Sequence, residues 1–224
     1  MHAILIPAFN EAESLPFVLE KCQTWSPNTT IIVVDNGSSD DTALVANAHG
    51  ATVLSCPDKG YANALKHGYQ WALESGVSAL VQLDADGQHP PHVIPAFFQR
   101  VRNCDWVIGS RHGLGCLGAW ERRFAAAAVG PMIRHHLSTS IYDWSSGMWG
   151  LNTKALRFLF EIFPQPVTDA NIRILAIKSG IQIQEHPVAM LDRSTGRSMH
   201  DGFEGTLNLF KSAWYAGRAL FATE

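Results

Sequence analysis

Apolar positions along this chain fall into two periods. Short runs rich in Ile and Val, at residues 3–6, 31–34, 52–54, 79–83 and 106–108, predict strands. Between them, residues 11–24, 39–49, 61–74 and 91–102 place apolar side chains at helical spacing. The strand runs are almost continuously apolar and leave no polar face, so the sheet they form must be covered on both sides. The alternation therefore predicts an α/β fold, a Rossmann-like doubly wound, mostly parallel sheet with helices on both faces. Ser39 or Asp40 caps the second helix, Pro90-Pro91 opens the fourth, and Gly50 and Gly76 mark helix ends. After Arg111 the pattern changes to a glycine-rich turn, an Ala-rich helix over residues 120–137, and further helical and extended pieces. No repeat or low-complexity linker interrupts the chain. We read one domain over residues 1–224, with subregions 1–111 and 112–224.

The order of elements also places the polar residues. In such sheets ligands bind beyond the carboxyl ends of the strands. Asn10 and Glu11 follow the first strand, Asp35 the second, residues 57–60 the third, and residues 84–89 the fourth. Four strand ends point at one crevice.

Composition narrows the partners. The chain has 224 residues, 46% hydrophobic and 17% charged, which suits a folded domain with a full core. A formal charge of -3 argues against the broad basic surface that nucleic-acid binding uses, so any anion site is local. Cys22, Cys56, Cys104 and Cys116 show no metal spacing and read as buried, reduced thiols. The polar residues Asn10 and Glu11 come too early for a signal peptide, and no apolar run approaches a membrane span. The expectation is a cytoplasmic location, with peripheral contact on the cytoplasmic membrane face open.

Leu83-Asp84-Ala85-Asp86-Gly87-Gln88 sets two carboxylates one residue apart just past an apolar strand. Mg2+ or Mn2+ takes one or two protein carboxylates and fills its remaining octahedral positions with water and phosphate oxygens. Held against a diphosphate, such a cation offsets the charge that grows on a departing phosphate group. A solvated Asp-Gly turn fits the same residues. An EF-hand is excluded, because His89 and Pro95 stand where that loop needs Gly and Glu. Asp35, in Val34-Asp35-Asn36-Gly37, is a candidate acceptor for the N–H of a uracil or guanine base, or the first residue of an Asx turn.

In sequence order, Pro7-Ala8-Phe9-Asn10-Glu11, then Val34-Asp35-Asn36-Gly37-Ser38 with Asp40, then Lys59-Gly60 with Ala64-Leu65 and Gly68, then Asp84-Ala85-Asp86-Gly87-Gln88 resemble the motifs of family 2 glycosyltransferases. That resemblance covers the first half of the chain well and the second loosely. It implies a glycosyltransferase A fold, an inverting reaction, and a divalent cation held at Asp84 and Asp86. Pro7, Ala8, Asn10 and Glu11 would line the nucleotide sugar, a GDP- or UDP-sugar. Asp35, Gly37, Lys59, Asp84, Ala85 and Asp86 would join them.

A closer likeness, to polyprenyl-phosphate sugar synthases of the dolichol-phosphate mannose type, rests on four segments. These are Gln88-His89-Pro90, Gly109-Ser110-Arg111, Ser146-Gly147 and the run from Pro187 to Ser198. The likeness adds Gln88 to the metal shell and brings Arg193 and Ser198, in Arg-x-x-Gly-x-Ser, to the diphosphate. The chain departs from the pattern at Asn36 for Asp, Ala62 for Gly, and Met199 for Lys. The last removes a cation beside the phosphates, which Arg197 or His200 must replace.

The second half is rich in arginine, whose planar fork suits an acceptor phosphate. Arg111, Arg122 and Arg123 are the candidates for holding it. Residues 120–137 and 203–221 mix aromatic and basic positions, a pattern that fits a membrane interface and equally fits core or homodimer packing. A phosphate acceptor arrives ionised and needs no base, whereas a hydroxyl acceptor does, and Asp169 is then the candidate. Asp169 fits the N-cap of a helix running to Ser179 as well. Asp86, Asp169 and Arg193 are thus the catalytic candidates. Transfer to a polyprenyl phosphate leads. Transfer to a glycan hydroxyl, and a degenerate sugar-nucleotide binder, are the alternatives.

Overall fold

All five apolar runs form strands. The computed structural model describes residues 1–112, 130–163 and 169–191. Within them run β1 (His2–Ala8), α1 (Leu15–Trp25), β2 (Thr30–Asp35), α2 (Thr42–Ala48), β3 (Thr52–Ser55), α3 (Tyr61–Glu74) and β4 (Ala79–Gln82). A 3-10 turn (Pro91–Val93) leads into α4 (Ile94–Arg100), followed by β5 (Trp106–Ser110) and helical residues 130–137, α5. The chain continues through β6 (Trp149–Asn152), α6 (Thr153–Ile162), α7 (Asp169–Lys178) and β7 (Ile183–Pro187).

Three helix starts fall later than the periodicity suggests, each for a local reason. Residues 11–14 form a turn closed by Leu15 N–H donating to the Glu11 carbonyl at 2.9 Å, so α1 begins at Leu15. Ser39 does not cap α2. The Asp40 carboxylate instead accepts from the N–H of Thr42, at 3.1 Å, and the helix starts there. Pro91 opens a single 3-10 turn before α4, because the pyrrolidine nitrogens of Pro91 and Pro95 have no hydrogen to donate. Gly50 and Gly76 close α2 and α3 with φ of 75° and 68°, the left-handed conformation expected of helix-ending glycines.

The seven strands form one sheet in the order β3-β2-β1-β4-β6-β5-β7. Strands β1 to β4 are mutually parallel, and β5 pairs parallel with β7. β6 runs antiparallel to both β4 and β5. Four residues containing a glycine carry too little periodicity to announce this strand from sequence. Because β1 feeds β2 on one side and β4 lies on the other, the strand order reverses between β1 and β4. Such a reversal opens a crevice at the carboxyl ends.

Alternate strand residues fill two cores. Leu5, Val34, Leu80, Ile108 and Trp149 pack with α3, α6 and α7, while Ile4, Val33, Val81 and Val107 pack with α1, α2 and α4. Gly68 explains itself here, because a Cβ at this position of α3 would overlap the Leu5 side chain on β1. Cys22, Cys56 and Cys104 are buried and free. Among the described residues no helix is long and apolar enough to cross a membrane. Cys116, Arg122, Arg123, Arg193, Arg197, Ser198, Met199, His200 and residues 203–221 lie outside the described residues, as does the helix expected from 120 up to residue 129.

Candidate active site

The crevice side of the sheet carries two acidic turns. β2 and β4 flank β1, so the turns that follow them stand two strand spacings apart, about 10 Å. Asn10 and Glu11, at the end of β1, lie between.

The turn after β2 lies near the surface and is held by bonds between backbone and short polar side chains, several of them from neighbouring loops. Ser38 N–H, three residues on rather than the two of an Asx turn, donates to Asp35 Oδ1 at 3.3 Å, and Gly37 adopts the left-handed φ of 79°. Asn10 is left-handed too, with φ of 54°, a conformation Asn tolerates better than most residues. Its amide oxygen accepts from Ser39 N–H at 2.7 Å, and its own N–H donates to Ser38 Oγ at 3.0 Å. Asp40 bridges the two loops by accepting from Ala12 N–H at 3.1 Å. Slight burial pushes the Asp40 carboxyl up, but the bonds from Thr42 and Ala12 outweigh it and hold it below the usual range. Asn36 accepts from Gly60 N–H at 3.1 Å and so ties this turn to the Lys59-Gly60 loop. The stem of Lys59 passes over Gly37: a Cβ there would lie 3.5 Å from the lysine Cε. Pro7 and Ala8 are buried at the end of strand β1.

The turn after β4 is buried. Asp86 is 9% exposed and His89 7%, while Asp84 keeps part of its carboxylate open. Asp86 Oδ1 accepts from the N–H of Gln88 at 3.0 Å. His89 Nδ1 accepts the Asp84 N–H at 2.9 Å, which fixes the ring and places its hydrogen on the other nitrogen in the neutral form. Ala85 is buried between the two carboxylates. Asp84 Oδ1 accepts from the Tyr61 hydroxyl at 3.0 Å. Its Oδ2 faces Gly147, where a Cβ would come within 3.2 Å. An alanine at 147 would fill the space in front of that oxygen.

The gap meets one carboxylate oxygen of Asp84, and Asp86 and Gln88 follow on the same turn; a hard cation takes one or two protein carboxylates and draws its other ligands from substrate and water. Among the described residues no three His, Cys, Asp or Glu side chains gather into a closed metal cage, and the His112, His135 and His136 rings all reach the surface. A depression at the opposite, amino-terminal edge of the strands, lined by Gln23, Thr30, Gly50 and Thr52, has no charged group to do chemistry.

The segment ending at Gly147 is held from four directions. The Gln82 amide donates to the Gly147 carbonyl at 3.1 Å. The fully buried Arg173, on α7, donates to the carbonyls of Trp144 and Ser146. Glu185, on β7, accepts from the N–H of Tyr142 and Asp143 at 2.9 and 2.6 Å. Arg111, at the end of β5, grips Asp143 in a fork, Nε to Oδ2 at 2.8 Å and Nη2 to Oδ1 at 2.7 Å, and reaches Ser145 Oγ at 2.7 Å. Burial raises the Asp143 carboxyl, but the Arg111 bonds and charge prevail and bring it down to about 2. Asp169 is the first residue of α7, which ends at Lys178 rather than Ser179. Sequence reasoning missed Tyr61, Gln82, Asp143 and Arg173. Only Gln82 left a trace, as one polar residue in an otherwise apolar strand.

Comparison with known proteins agrees with this geometry. The model of the family described as glycosyl transferase family 2 matches residues 3–160. Undecaprenyl-phosphate mannosyltransferase of Micrococcus luteus is 29% identical over 88% of this chain and 86% of its own length. Polyprenol monophosphomannose synthase of Mycolicibacterium smegmatis is 27% identical over 94% of this chain and 84% of its own. Glucosyl-3-phosphoglycerate synthase of Mycobacterium tuberculosis, solved with Mn2+, UDP and phosphoglyceric acid, superposes with a TM-score of 0.75. At 16% identity, over 100% of this chain and 80% of that one, the likeness shows a shared glycosyltransferase A fold. A match over residues 3–160, on a sheet of this topology, makes the chain a glycosyltransferase of family 2.

Proposed function

We propose that this enzyme transfers a sugar, with inversion, from a GDP- or UDP-sugar to a polyprenyl phosphate. The observation that carries the reading is the pair of relatives named for transfer to polyprenyl phosphate, each aligned over most of both chains. The geometry is consistent with it. Asp35 would accept from the base N–H, with Asn10, Glu11, Gly37 and Lys59 along the nucleotide. Asp84, Asp86 and Gln88 would hold Mg2+ or Mn2+, which when bound offsets the charge on the departing diphosphate.

In the reaction a phosphate oxygen of the acceptor forms a bond to the anomeric carbon as the bond from that carbon to the diphosphate oxygen breaks. The acceptor phosphate has a second pKa of about 6 and attacks already ionised, so no side chain need take a proton. Asp86 would help hold the cation at the diphosphate end, and Arg193 and Ser198 would meet the same phosphates. Arg122 and Arg123 are assigned to the acceptor phosphate. Arg111 contributes there as a cation already paired with Asp143. Lipid access is by peripheral contact.

Labelled nucleotide sugars incubated with short polyprenyl phosphates and Mn2+ test the reading. A labelled lipid is expected with one donor. Its absence with every donor removes the lipid acceptor. Asp169→Ala separates the acceptor classes: unchanged turnover is expected for a phosphate acceptor, whereas a loss of about a hundredfold or more would make Asp169 the base for a hydroxyl.

A further inference from the structure

Gln82 is a polar side chain with no exposed surface, in a strand whose other members are apolar. A buried amide costs free energy unless its hydrogen bonds are made, so its partners show what it is for. Tyr69, itself fully buried on α3, donates its hydroxyl to Gln82 Oε1 at 2.5 Å. That bond fixes the amide so that Nε2 faces the crevice. Nε2 then donates to the Gly147 carbonyl at 3.1 Å and lies 3.4 Å from the Tyr61 hydroxyl oxygen. Tyr61, 39% exposed at the start of α3, is 3.0 Å from Asp84 Oδ1.

The direction of each bond is forced. An ionised carboxylate only accepts, so Tyr61 must donate its proton to Asp84. Its oxygen is then the acceptor toward Gln82, and Gln82 can offer that donor only because Tyr69 holds the amide oxygen on the other side. The relay runs one way, from the buried core to one oxygen of one carboxylate. The other oxygen, Oδ2, is treated differently. His89 Nε2 stands 3.7 Å away, beyond hydrogen-bonding distance, and among the described residues Gly147 lies in front of Oδ2 without a Cβ, which would come within 3.2 Å of that oxygen.

We infer that Tyr61, oriented by Tyr69 and Gln82, is a positioning residue that engages Asp84 Oδ1 and so presents Oδ2 to a divalent cation. The inference rests on the metal role proposed above for Asp84. Because Tyr61 directly follows Lys59-Gly60, the same residue couples the nucleotide loop to the metal side of the crevice.

Tyr61→Phe removes one oxygen from a partly exposed side chain and keeps the ring, so folding is preserved. Free Mn2+, followed by electron paramagnetic resonance as protein is added with and without UDP or GDP, reads the site without turnover. Loss of an outer-shell partner to a metal ligand typically weakens metal binding by about 10- to 100-fold. About tenfold weaker Mn2+ binding is expected, with metal-free nucleotide affinity and Tm unchanged. Mn2+ affinity equal to that of the unsubstituted protein overturns the positioning role and leaves the metal role of Asp84 standing. No Mn2+ binding by the unsubstituted protein overturns both.

Discussion

The turn after β2 and the turn after β4 present carboxylates to the same crevice from either side of β1, and they are held by opposite means. Around Asp35 the bonds come from Ser38, Asn10, Asp40 and the Gly60 loop, backbone to short polar side chains, at the protein surface. Around Asp84 they come from Tyr61, Gln82, His89 and the segment ending at Gly147, and that segment is anchored in turn by Arg111, Arg173 and Glu185. A near-surface turn held by short polar side chains would adjust to a base at little cost. A buried turn braced by α3, β5, α7 and β7 holds its carboxylates in fixed positions, as the proposed metal role requires. On the proposed reading, recognition falls to the first turn and chemistry to the second.

The largest effect expected from that division is at Asp86. Asp86→Ala should lower turnover by about a thousandfold, the scale on which a dedicated charge-stabilising group acts, while metal-free nucleotide binding stays intact. Calorimetry with nucleotide alone and turnover with saturating Mn2+ separate the two. A large loss of metal-free nucleotide affinity would mean the turns are not divided in this way.

Next in size is the brace. Arg111→Ala leaves the Asp143 carboxylate buried without its fork, which typically costs about 3–5 kcal/mol. Urea unfolding should show it, together with weaker Mn2+ binding transmitted through Gly147. The pair also sets an acid limit. The Asp143 carboxyl is depressed to about 2 in the fold, so its contribution, about 2 kcal/mol, is fully present above its unfolded value near 4. It is lost as pH falls through about 2. Removing Arg111 should therefore flatten the acid side of the stability profile between pH 4 and pH 2, and an unchanged slope there would show that Arg111 is not what holds Asp143 down.

The same contrast explains what the sequence discloses. The parallel strands, their covering helices and the turn around Asp35 are written in neighbouring residues: apolar runs, capping glycines, an Asp-Asn-Gly-Ser string. Periodicity and turn chemistry read such features directly. The Asp84-Ala85-Asp86 turn is legible as well, but its supports are not. Arg111 and Asp143, 32 residues apart, meet only because β6 inserts antiparallel between β4 and β5, and nothing in Trp149-Gly150-Leu151-Asn152 announces that insertion. Arg173 looks like one charged residue on an ordinary helix until the fold buries it. Long-range pairing is set by topology, and a linear pattern carries topology poorly. The helix starts missed near Asp40 and Leu15 have the same origin on a smaller scale, since the bonds that delay them cross between the β1 and β2 loops or close a turn rather than follow the helix period.

The smallest effect expected is at Asp35, and it tests the division from the other side. Asp35→Ala removes the proposed acceptor for the base N–H together with one weak turn bond of 3.3 Å, while the Asn36 bond to the Gly60 loop remains. One hydrogen bond to a charged acceptor corresponds to about tenfold in affinity, near 1.4 kcal/mol. Nucleotide binding should weaken by that amount, with discrimination between uracil and guanine donors shifting, and Mn2+ binding without nucleotide should stay as it was. The turn lies near the surface, so Tm should move little. A fall in nucleotide-free Mn2+ affinity would show that the β2 turn reaches the cation, and the two strand ends would then act as one unit rather than as a reader and a clamp.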